Sequence, residues 1–450
     1  MAPIDLMIDM PQQPSRIIRR KVISNIGANY LGAALNSALP LLTLPIYLNH
    51  LGAENWGLVS FIAFFVSALS ILDAGFNQAL VKEFAGMNLI DVLTRQKMAN
   101  LLFGYERLYF AFALTVTLSA LPFADLIVTR WLNLGSLPHA AGLSTIYCAC
   151  AMFLCQFPAS IYRTVLVARQ EQVLLNKIQS SFVVLRHAIS VLLVLLSMGI
   201  WTYMIWQVLC AAIETAWMSR RTWIEVGARR KVSSWDGTAM TSTMRFAAAM
   251  AISALLGAAT TMIDKFYVSS QLPIVQLGYY GVASSVSFGL LRLSYPVFTA
   301  FLPRIVQLQS NVRALLHTNL RLMAVISAAL TAGVTLYLLF GQLCLQLWLN
   351  NEGMANDVYP VLNLLLVSSS LNVFYNLGYT NWVAAGKSRI IFAINIASFV
   401  LAAGVTPLAI DRFGLVGAAA ALVLINSIGA FTSLVWLVNG FIRRQPAIDS

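Results

Sequence analysis

Long apolar stretches recur along the 450-residue chain, separated by short segments that hold most of its charges. A helix that crosses a bilayer needs about 20 mostly apolar residues, so each stretch predicts one transmembrane helix. Stretches five and six meet at Gly199. The twelve stretches cover residues 24–48, 57–80, 105–127, 143–166, 178–198, 200–220, 246–268, 278–302, 323–348, 358–382, 390–410 and 415–440.

The composition supports the same fold class. Hydrophobic residues make up 59% of the chain and charged residues only 10%, whereas soluble domains carry about 25% charged residues. The sequence therefore predicts an all-α polytopic membrane protein and excludes a disordered, collagen-like or disulfide-scaffold chain. The net charge of +12 is explained by cytoplasmic loops of membrane proteins, which are enriched in Lys and Arg. No nucleic-acid partner is expected.

The basic residues also predict the orientation and the domain organisation. With the N-terminus in the cytoplasm, most of the 29 Lys and Arg residues, Arg163 among them, fall in cytoplasmic segments, whereas the outer loops keep only Arg130 and Arg412. Both termini are therefore expected inside. The predicted parts are a cytoplasmic N-terminal segment 1–23, a six-helix N-lobe 24–220, a basic cytoplasmic linker 221–245, a six-helix C-lobe 246–440 and a cytoplasmic tail 441–450.

The two halves share a short echo. Trp56-Gly57 opens the second predicted helix and Tyr280-Gly281 opens the eighth, and each helix is followed by a basic residue, Lys82 or Arg304. Six helices return the chain to the same side, so the echo favours a parallel repeat, an arrangement known in secondary transporters.

Motifs for enzymatic chemistry are missing from the sequence. Gly386-Lys387-Ser388 resembles the end of a P-loop, but the first glycine of that motif is replaced by Asn381. The outer loops are too short to hold a sugar-transfer site, and the five cysteines and four histidines form no metal motif. We therefore expect a protein that is not an enzyme and that needs no cofactor or metal.

Ionisable residues inside predicted helices are the main functional candidates, because each is costly to insert into a membrane. Arg292 lies near the middle of the eighth helix, with no acidic residue within a turn or two. Its guanidinium suits a phosphate, or else it pairs with a carboxylate of another helix. Arg186 and Glu214 are expected at similar depth on neighbouring helices, as a structural ion pair or as a gate and substrate contact.

Two carboxylates and a lysine are further candidates for ion coupling or gating. Asp73 is predicted in the inner part of the second helix, and Asp264 and Lys265 in the seventh. Each carboxylate binds a coupling cation or makes a helix–helix hydrogen bond. Adjacent helical residues point about 100° apart, so we expect Asp264 and Lys265 not to face each other.

Asparagines mark one face of helix one and one face of helix ten. Asn29 and Asn36 are seven residues apart, and Asn372 and Asn376 are four apart, so each pair shares a helix face. Such a face turns towards the bundle in a membrane. It either holds helices together or binds the hydroxyl groups of a substrate.

Several short runs carry a family resemblance. They are Asn25-Ile26-Gly27-Ala28-Asn29-Tyr30, Leu44-Pro45-Ile46-Tyr47-Leu48, Leu51-Gly52-Ala53-Glu54-Asn55-Trp56-Gly57, Leu72-Asp73-Ala74-Gly75-Phe76, Lys82-Glu83-Phe84-Ala85, Asp264-Lys265-Phe266-Tyr267 and Gly278-Tyr279-Tyr280-Gly281-Val282-Ala283. Together they resemble Wzx-type polysaccharide flippases of the multidrug/oligosaccharidyl-lipid/polysaccharide exporter superfamily. The distinctive residues are concentrated in 20–90 and 245–305.

The resemblance implies two six-helix lobes around a central cavity in the bacterial inner membrane. It implies a transporter that flips an undecaprenyl-diphosphate-linked oligosaccharide to the periplasmic leaflet by alternating access, for O-antigen, exopolysaccharide or capsule synthesis. Arg292 and Arg186 would then contact the diphosphate, and membrane lipid, a polysaccharide polymerase and chain-length proteins are the candidate partners. The alternative within the superfamily is a cation-coupled multidrug exporter, which usually carries an acidic residue in helix one or seven.

Overall fold

Helices account for nearly all of the described chain, as expected where lipid forces every backbone polar group to be satisfied within its own segment. The computed structural model describes residues 16–85, 87, 91–227, 230, 233–235, 237, 255–309 and 311–442. The helices are α1 (Arg16–Leu51), α2 (Ala53–Ser70), α3 (Ala74–Ala85), α4 (Val92–Ala120), α5 (Ala124–Arg130), α6 (His139–Gln156), α7 (Ala159–Ala168), α8 (Gln172–Leu195), α9 (Gly199–Val226), α10 (Ile263–Gln271), α11 (Ile274–Gln307), α12 (Val312–Leu349), α13 (Glu352–Ala384) and α14 (Ser388–Ile442).

The all-α polytopic fold is confirmed, and the predicted helices two, three and four are each interrupted once. A 3₁₀ turn at Ile71–Asp73 separates α2 from α3, and another at Leu121–Phe123 separates α4 from α5. The second turn contains Pro122, and Pro158 stands between α6 and α7. Proline has no N–H to donate and clashes with the preceding turn, which explains both of these breaks.

The last two predicted helices meet at Gly414. This residue has a φ of 57° and a ψ of −135°, so α14 consists of two helices joined at that point. The predicted boundary between residues 410 and 415 is therefore correct. Earlier in the chain, α8 ends at Leu195 and α9 begins at Gly199, where the fifth and sixth predicted helices were expected to meet.

Nine stretches of the described residues are long and apolar enough to cross a membrane. The last one, Ser388–Gly440, has 53 residues and is long enough for two crossings at 1.5 Å per residue. The charged α9 corresponds to the sixth predicted helix, and α10 begins within the described part of the seventh. Residues 246–254, most of the predicted linker 221–245 and most of the segments 1–23 and 441–450 lie outside the described residues, so the domain limits stay predictions.

The helices form two lobes, the N-lobe with α1–α9 and the C-lobe from residue 255 to α14. In the N-lobe α1 packs on α8, α6 on α9 and α3 on α7, and in the C-lobe α13 packs on α11 and on α14. The predicted eighth helix, 278–302, is longer than expected, because α11 runs over Ile274–Gln307.

The two lobes meet where α2 packs against α11, and glycines allow the approach. A Cβ atom on Gly57 would lie 2.1 Å from the carbonyl oxygen of Ile274. A Cβ atom on Gly278 would lie 3.0 Å from the Ala53 oxygen, and one on Gly281 would lie 2.6 Å from the Ser60 Oγ. The two echo motifs of the sequence therefore pack against each other.

Polar and aromatic contacts close the same end of the lobe interface, which the predicted topology places outside. The backbone N–H of Ile274 donates to the Asn133 oxygen at 2.8 Å. The Trp131 Nε1 donates to the Ser269 Oγ at 2.9 Å, and the Trp131 ring meets the Phe266 ring edge-on at 4.8 Å. These contacts hold the lobes together at the predicted outer end.

Candidate functional site

Arg186 and Glu214 form the expected ion pair in the N-lobe. The Arg186 Nη2 lies 2.9 Å from the Glu214 Oε2, and the two side chains are 16% and 17% exposed. Arg186 lies on α8 and Glu214 on α9, two antiparallel neighbours, so residues far apart in sequence come to similar depth. The pair is largely buried, and both side chains remain partly exposed.

A cavity of about 320 Å³ adjoins Arg186, within the usual range for small-ligand sites. We call it the N-lobe cavity. The polar part of its wall holds the Arg186 guanidinium, the His187 imidazole and the amides of two glutamines. The full wall comprises Val59, Ile62, Ala63, Val66, Ser67, Met152, Gln156, Arg186, His187, Tyr203, Met204 and Gln207. The cavity therefore offers one cation and several hydrogen-bonding groups on an apolar background.

His187 connects this cavity to α1. Its Nδ1 lies 2.8 Å from the Thr43 Oγ1 and 3.0 Å from the Tyr47 hydroxyl oxygen. Both partners lie near Pro40 and Pro45, which are inside α1. The sequence analysis did not identify His187, because one histidine without a ligand at a regular spacing carries no motif.

Arg163 is a second cation inside the N-lobe, and the sequence analysis assigned it to the wrong place. It was counted with the cytoplasmic loop residues, but it lies within α7. Its Nε is buried and makes no hydrogen bond within the described part of the chain. The charges of Glu214, Asp73 and Arg186 act on it. A basic residue near the end of an apolar stretch gives no sequence signal of whether it turns inward.

Asp73 lies in the 3₁₀ turn after α2 and is almost fully buried. Its carboxylate accepts hydrogen bonds from the hydroxyls of Tyr109 and Ser160, and from the Asn77 amide at 2.6 Å. The helix–helix hydrogen bonds allowed by the sequence are thus present. A coupling role for this carboxylate stays a prediction.

Asp264 and Lys265 form an ion pair in the C-lobe, so the expectation that they do not face each other was wrong. The Lys265 Nζ lies 3.1 Å from the Asp264 Oδ2, and the Tyr280 hydroxyl donates to the same oxygen at 2.7 Å. Asp264 is 1% exposed. The long lysine side chain bends back to its neighbour because an unpaired carboxylate at this depth would be costly.

A small C-lobe cavity of about 80 Å³, room for a few water molecules, adjoins this pair. Asn372 lines the cavity and donates to the Asn426 Oδ1 at 3.0 Å, and Asn426 donates to the Ser368 Oγ at 2.7 Å. Asn376 donates to the Asn372 Oδ1 at 3.0 Å. The asparagine face of α13 therefore holds α13 to α14 and also borders the cavity. Asn426 was not identified from the sequence.

Asn29 binds a neighbouring helix in this structure. Its amide nitrogen donates to the Gln172 Oε1, and its oxygen accepts from the Asn176 Nδ2, both at 2.5 Å. Asn36, on the same helix, has a buried Oδ1 with no hydrogen-bond donor among the described residues. Asn29 thus links α1 to α8, whereas Asn36 keeps a free acceptor.

Arg292 lies in α11, 18 residues after Ile274 and 15 before Gln307, close to the middle of the helix. Its side chain lies outside the described part of the structure. Its place near the middle of the helix agrees with the sequence, whereas its depth in the membrane and its contact with a ligand stay predictions.

Comparison with known proteins gives a family and a fold. Residues 22–309 match the family described as "Polysaccharide biosynthesis protein". The chain is 23% identical over 170 residues to a Shigella flexneri protein named "Putative O-antigen transporter". That match covers 38% of this chain and 40% of the relative, so it spans less than half of the relative's length.

Two solved structures share the fold over nearly the whole chain. A structure titled "Lipid II flippase MurJ, inward closed conformation" has a TM-score of 0.71 at 12% identity and covers 94% of this chain and 89% of its own. An inward-facing multidrug resistance MATE family transporter of the MOP superfamily has a TM-score of 0.66 at 15% identity, covering 91% and 98%. The resemblance stated from the sequence is confirmed at the level of family and two-lobed transporter fold.

Proposed function

Because the chain belongs to the polysaccharide biosynthesis protein family, we propose that it flips an undecaprenyl-diphosphate-linked oligosaccharide across the bacterial inner membrane. The protein is a multi-pass membrane protein with a transporter fold. In the proposal both termini are cytoplasmic, and the product serves O-antigen, exopolysaccharide or capsule synthesis. A polymerase and chain-length proteins are the proposed partners that act on it.

The N-lobe cavity is the observation that carries this proposal. A lipid diphosphate is anionic, and a guanidinium offers two parallel donors that match phosphate oxygens. Arg186 presents such a group at a cavity of about 320 Å³. The amides of Gln156 and Gln207 beside it are able to hydrogen-bond sugar hydroxyls, while the polyprenyl chain remains in the membrane.

Exchange of counter-ions is the proposed binding step. Glu214 balances Arg186 in the ligand-free pair, and a diphosphate takes its place when the substrate arrives. Arg292 contacts the same headgroup from the C-lobe, near the midplane. Asn36, Asn372 and Asn376 contact sugars. Asn29 holds α1 in place through its hydrogen bonds to α8.

Alternating access is the proposed transport mechanism, and the contact between the lobes supports it. The glycine contact between α2 and α11 closes the predicted outer end, and in the proposal it opens when the lobes rock about the linker 221–245. Asp73, Glu214, Asp264 and Lys265 act in this scheme as gating or ion-coupling groups, because each is an ionisable side chain held by hydrogen bonds or an ion pair inside a lobe.

Complementation of a deletion strain tests the proposal. Arg186→Ala and Arg292→Ala are expected to abolish surface polysaccharide, and Arg292→Lys is expected to be intermediate, because the charge survives while the planar fork is lost. Arg313→Ala, at an exposed position on α12, is the matched control. Normal surface polysaccharide in the Ala variants at unchanged protein levels would refute the proposed roles.

A cation-coupled multidrug exporter is the second candidate. The observation in its favour is the pair of buried carboxylates Asp73 and Asp264, within a fold shared with a multidrug transporter. Drug efflux that depends on either carboxylate, together with normal surface glycan in the deletion strain, would favour this candidate over the flippase.

A further inference from the structure

A second, larger cavity opens on the side of the N-lobe between α4, α6, α7 and α9. This lateral cleft has a volume of about 970 Å³. Its walls are apolar along much of their length, with Phe110, Leu154 and Ala216 among them, and one end is polar, with Glu106, Arg220 and Arg230. It is separate from the N-lobe cavity described above.

The cleft opens towards the lipid. Phe110, in α4, lines it and is 39% exposed. Ile213 and Trp217, in α9, are also exposed. Exposed apolar side chains on a membrane-spanning bundle contact acyl chains, so the apolar part of the cleft is open to a lipid tail.

The polar end contains a buried acceptor without a donor. Glu106 is 1% exposed, and its Oε1 accepts from the Tyr162 hydroxyl and pairs with the Arg230 Nη2 at 2.8 Å. Its Oε2 is buried and has no hydrogen-bond partner among the described residues. A buried charged oxygen in this state is costly, and a donor from a bound molecule would remove the cost.

Glu106 lies at the depth of lipid headgroups in the predicted topology. Six residues before it on α4, the Asn100 Oδ1 accepts from the backbone N–H of Ser234 in the cytoplasmic linker, at 3.0 Å. Six residues correspond to about 9 Å along a helix, whereas the headgroup region of one leaflet is about 5–8 Å thick. The carboxylate is thus close to the boundary between headgroups and acyl chains.

We propose that the lateral cleft binds one phospholipid with a primary ammonium headgroup. The ammonium donates to the Glu106 Oε2, the phosphate contacts Arg220 and Arg230, and an acyl chain fills the apolar part. In this arrangement the phosphate lies beside the two arginines and the ammonium meets the carboxylate, so each charge of the zwitterionic headgroup faces an opposite charge. A trimethylated choline headgroup carries the same charges but has no N–H to donate, so it leaves the Oε2 without a partner.

Native mass spectrometry of the purified full-length protein tests the site. The protein is equilibrated with equal amounts of dioleoyl phosphatidylethanolamine and dioleoyl phosphatidylcholine, which differ in mass. We expect the ethanolamine lipid to be retained about tenfold over the choline lipid, the effect of one charge-assisted hydrogen bond. Equal retention would overturn the proposal. In a second equilibration with equal amounts of the ethanolamine lipid and dioleoyl phosphatidylglycerol, stronger retention of phosphatidylglycerol would also overturn it.

Variants separate the headgroup contacts. Glu106→Gln is expected to bring the retention ratio close to one. Arg220→Gln should lower retention of both lipids without changing the ratio, and Arg221→Gln, at an exposed position that does not line the cleft, is the matched control. An unchanged ratio in Glu106→Gln contradicts the assignment of the ammonium contact.

A cleft-filling variant tests the site independently, so the proposal remains testable if Glu106→Gln does not fold. Ala216 is exposed and lines the cleft, so Ala216→Phe fills the space without removing a polar contact. We expect it to abolish retention of both lipids, whereas Ile213→Phe, one turn away on the lipid-facing surface, should not. Retention of the ethanolamine lipid by Ala216→Phe would place the lipid elsewhere and overturn the proposal.

Discussion

Among the described residues, the Arg186–Glu214 ion pair of the N-lobe and the Asp264–Lys265 ion pair of the C-lobe each border a cavity, and the two pairs differ in how they are built. Arg186 and Glu214 come from two helices, and the pair borders a cavity of about 320 Å³. Asp264 and Lys265 are sequence neighbours beside a cavity of only about 80 Å³. The N-lobe ion pair thus lies beside a cavity large enough for a ligand, whereas the C-lobe ion pair lies beside a cavity with room for only a few water molecules.

The surroundings of the two cations explain why the N-lobe pair is the better candidate for a ligand. Lys265 is held by Asp264 and lies 5.0 Å from the centre of the Phe288 ring and 5.7 Å from that of Tyr280. Asp264 also accepts from Tyr280. An incoming anion would have to displace all of these contacts, whereas at Arg186 it replaces Glu214. Position inside a helix is therefore a weaker guide to a binding site than the counter-ion and the adjacent space.

The largest effect on stability is expected from Asp264→Ala. This change leaves Lys265 and the Tyr280 hydroxyl without their acceptor in a buried place, and breaking such a pair costs about 3 kcal/mol. Thermal unfolding of the purified protein should show a clear fall in the midpoint. Asp411→Ala, at an exposed position, should leave the midpoint unchanged, and equal behaviour of the two variants would contradict the closed C-lobe pair.

A smaller loss, about 2 kcal/mol, is expected when the lobe interface is changed and both ion pairs are kept. In Gly57→Ala the new methyl group would overlap the Ile274 carbonyl oxygen, and overpacking of this kind destabilises a contact. Spin labels on the two lobes should report a wider distance at the predicted outer end. Gly289→Ala, which meets nothing within 4 Å, is the control, and identical distances in both variants would refute the glycine contact.

Glu214→Ala should cost still less, about 1–2 kcal/mol, because the N-lobe pair is partly exposed and borders a cavity, whereas Asp264 is almost fully buried. The double variant Arg186→Met, Glu214→Met is expected to recover stability, since no unpaired charge remains, but not surface polysaccharide. Glu225→Ala, on the exposed part of the same helix, controls for loss of a carboxylate. Recovery of both stability and polysaccharide in the double variant would limit the pair to a structural role.

The smallest expected effect is a pH-dependent difference in stability between the N-terminal cap of α4 in the N-lobe and the caps of α12 and α13 in the C-lobe. The Thr94 hydroxyl and backbone N–H both donate to Asp91 at the start of α4, and these bonds lower the pKa of Asp91 below its ordinary value of 3.8. Its stabilisation is present above that value and is lost as the pH falls through the lower, folded-state pKa. The caps of α12 and α13 are the neutral Asn311 and Asn351.

Hydrogen exchange at acidic pH measures this difference. We expect protection of the first turn of α4 to fall as the pH is lowered below about 4, while the first turns of α12 and α13 show no such step. Asp91→Asn, which keeps an acceptor, should remove the step from α4. A step of equal size at all three helices would contradict the cap assignment.

The sequence predicted the helices well because lipid permits few alternatives for a long apolar stretch. The Arg186–Glu214 pair was also predictable, since helix rise gives the depth of each residue. The Asp264–Lys265 pair was not, because a helix-face argument ignores the length of the lysine side chain. His187, Arg163 and the Glu106–Arg230 pair were missed for a related reason. The residues around each of these side chains come from distant parts of the chain, and one sequence does not reveal which surfaces meet.

Binding of a polyprenyl-diphosphate-linked oligosaccharide to the protein in lipid nanodiscs tests the central claim most directly. If a lipid diphosphate binds at the N-lobe cavity, Arg186→Ala should weaken binding at least tenfold, since a bidentate charge-assisted contact is lost. Arg313→Ala should bind like the wild type. Equal affinity of the Arg186→Ala variant and the wild type would contradict the account.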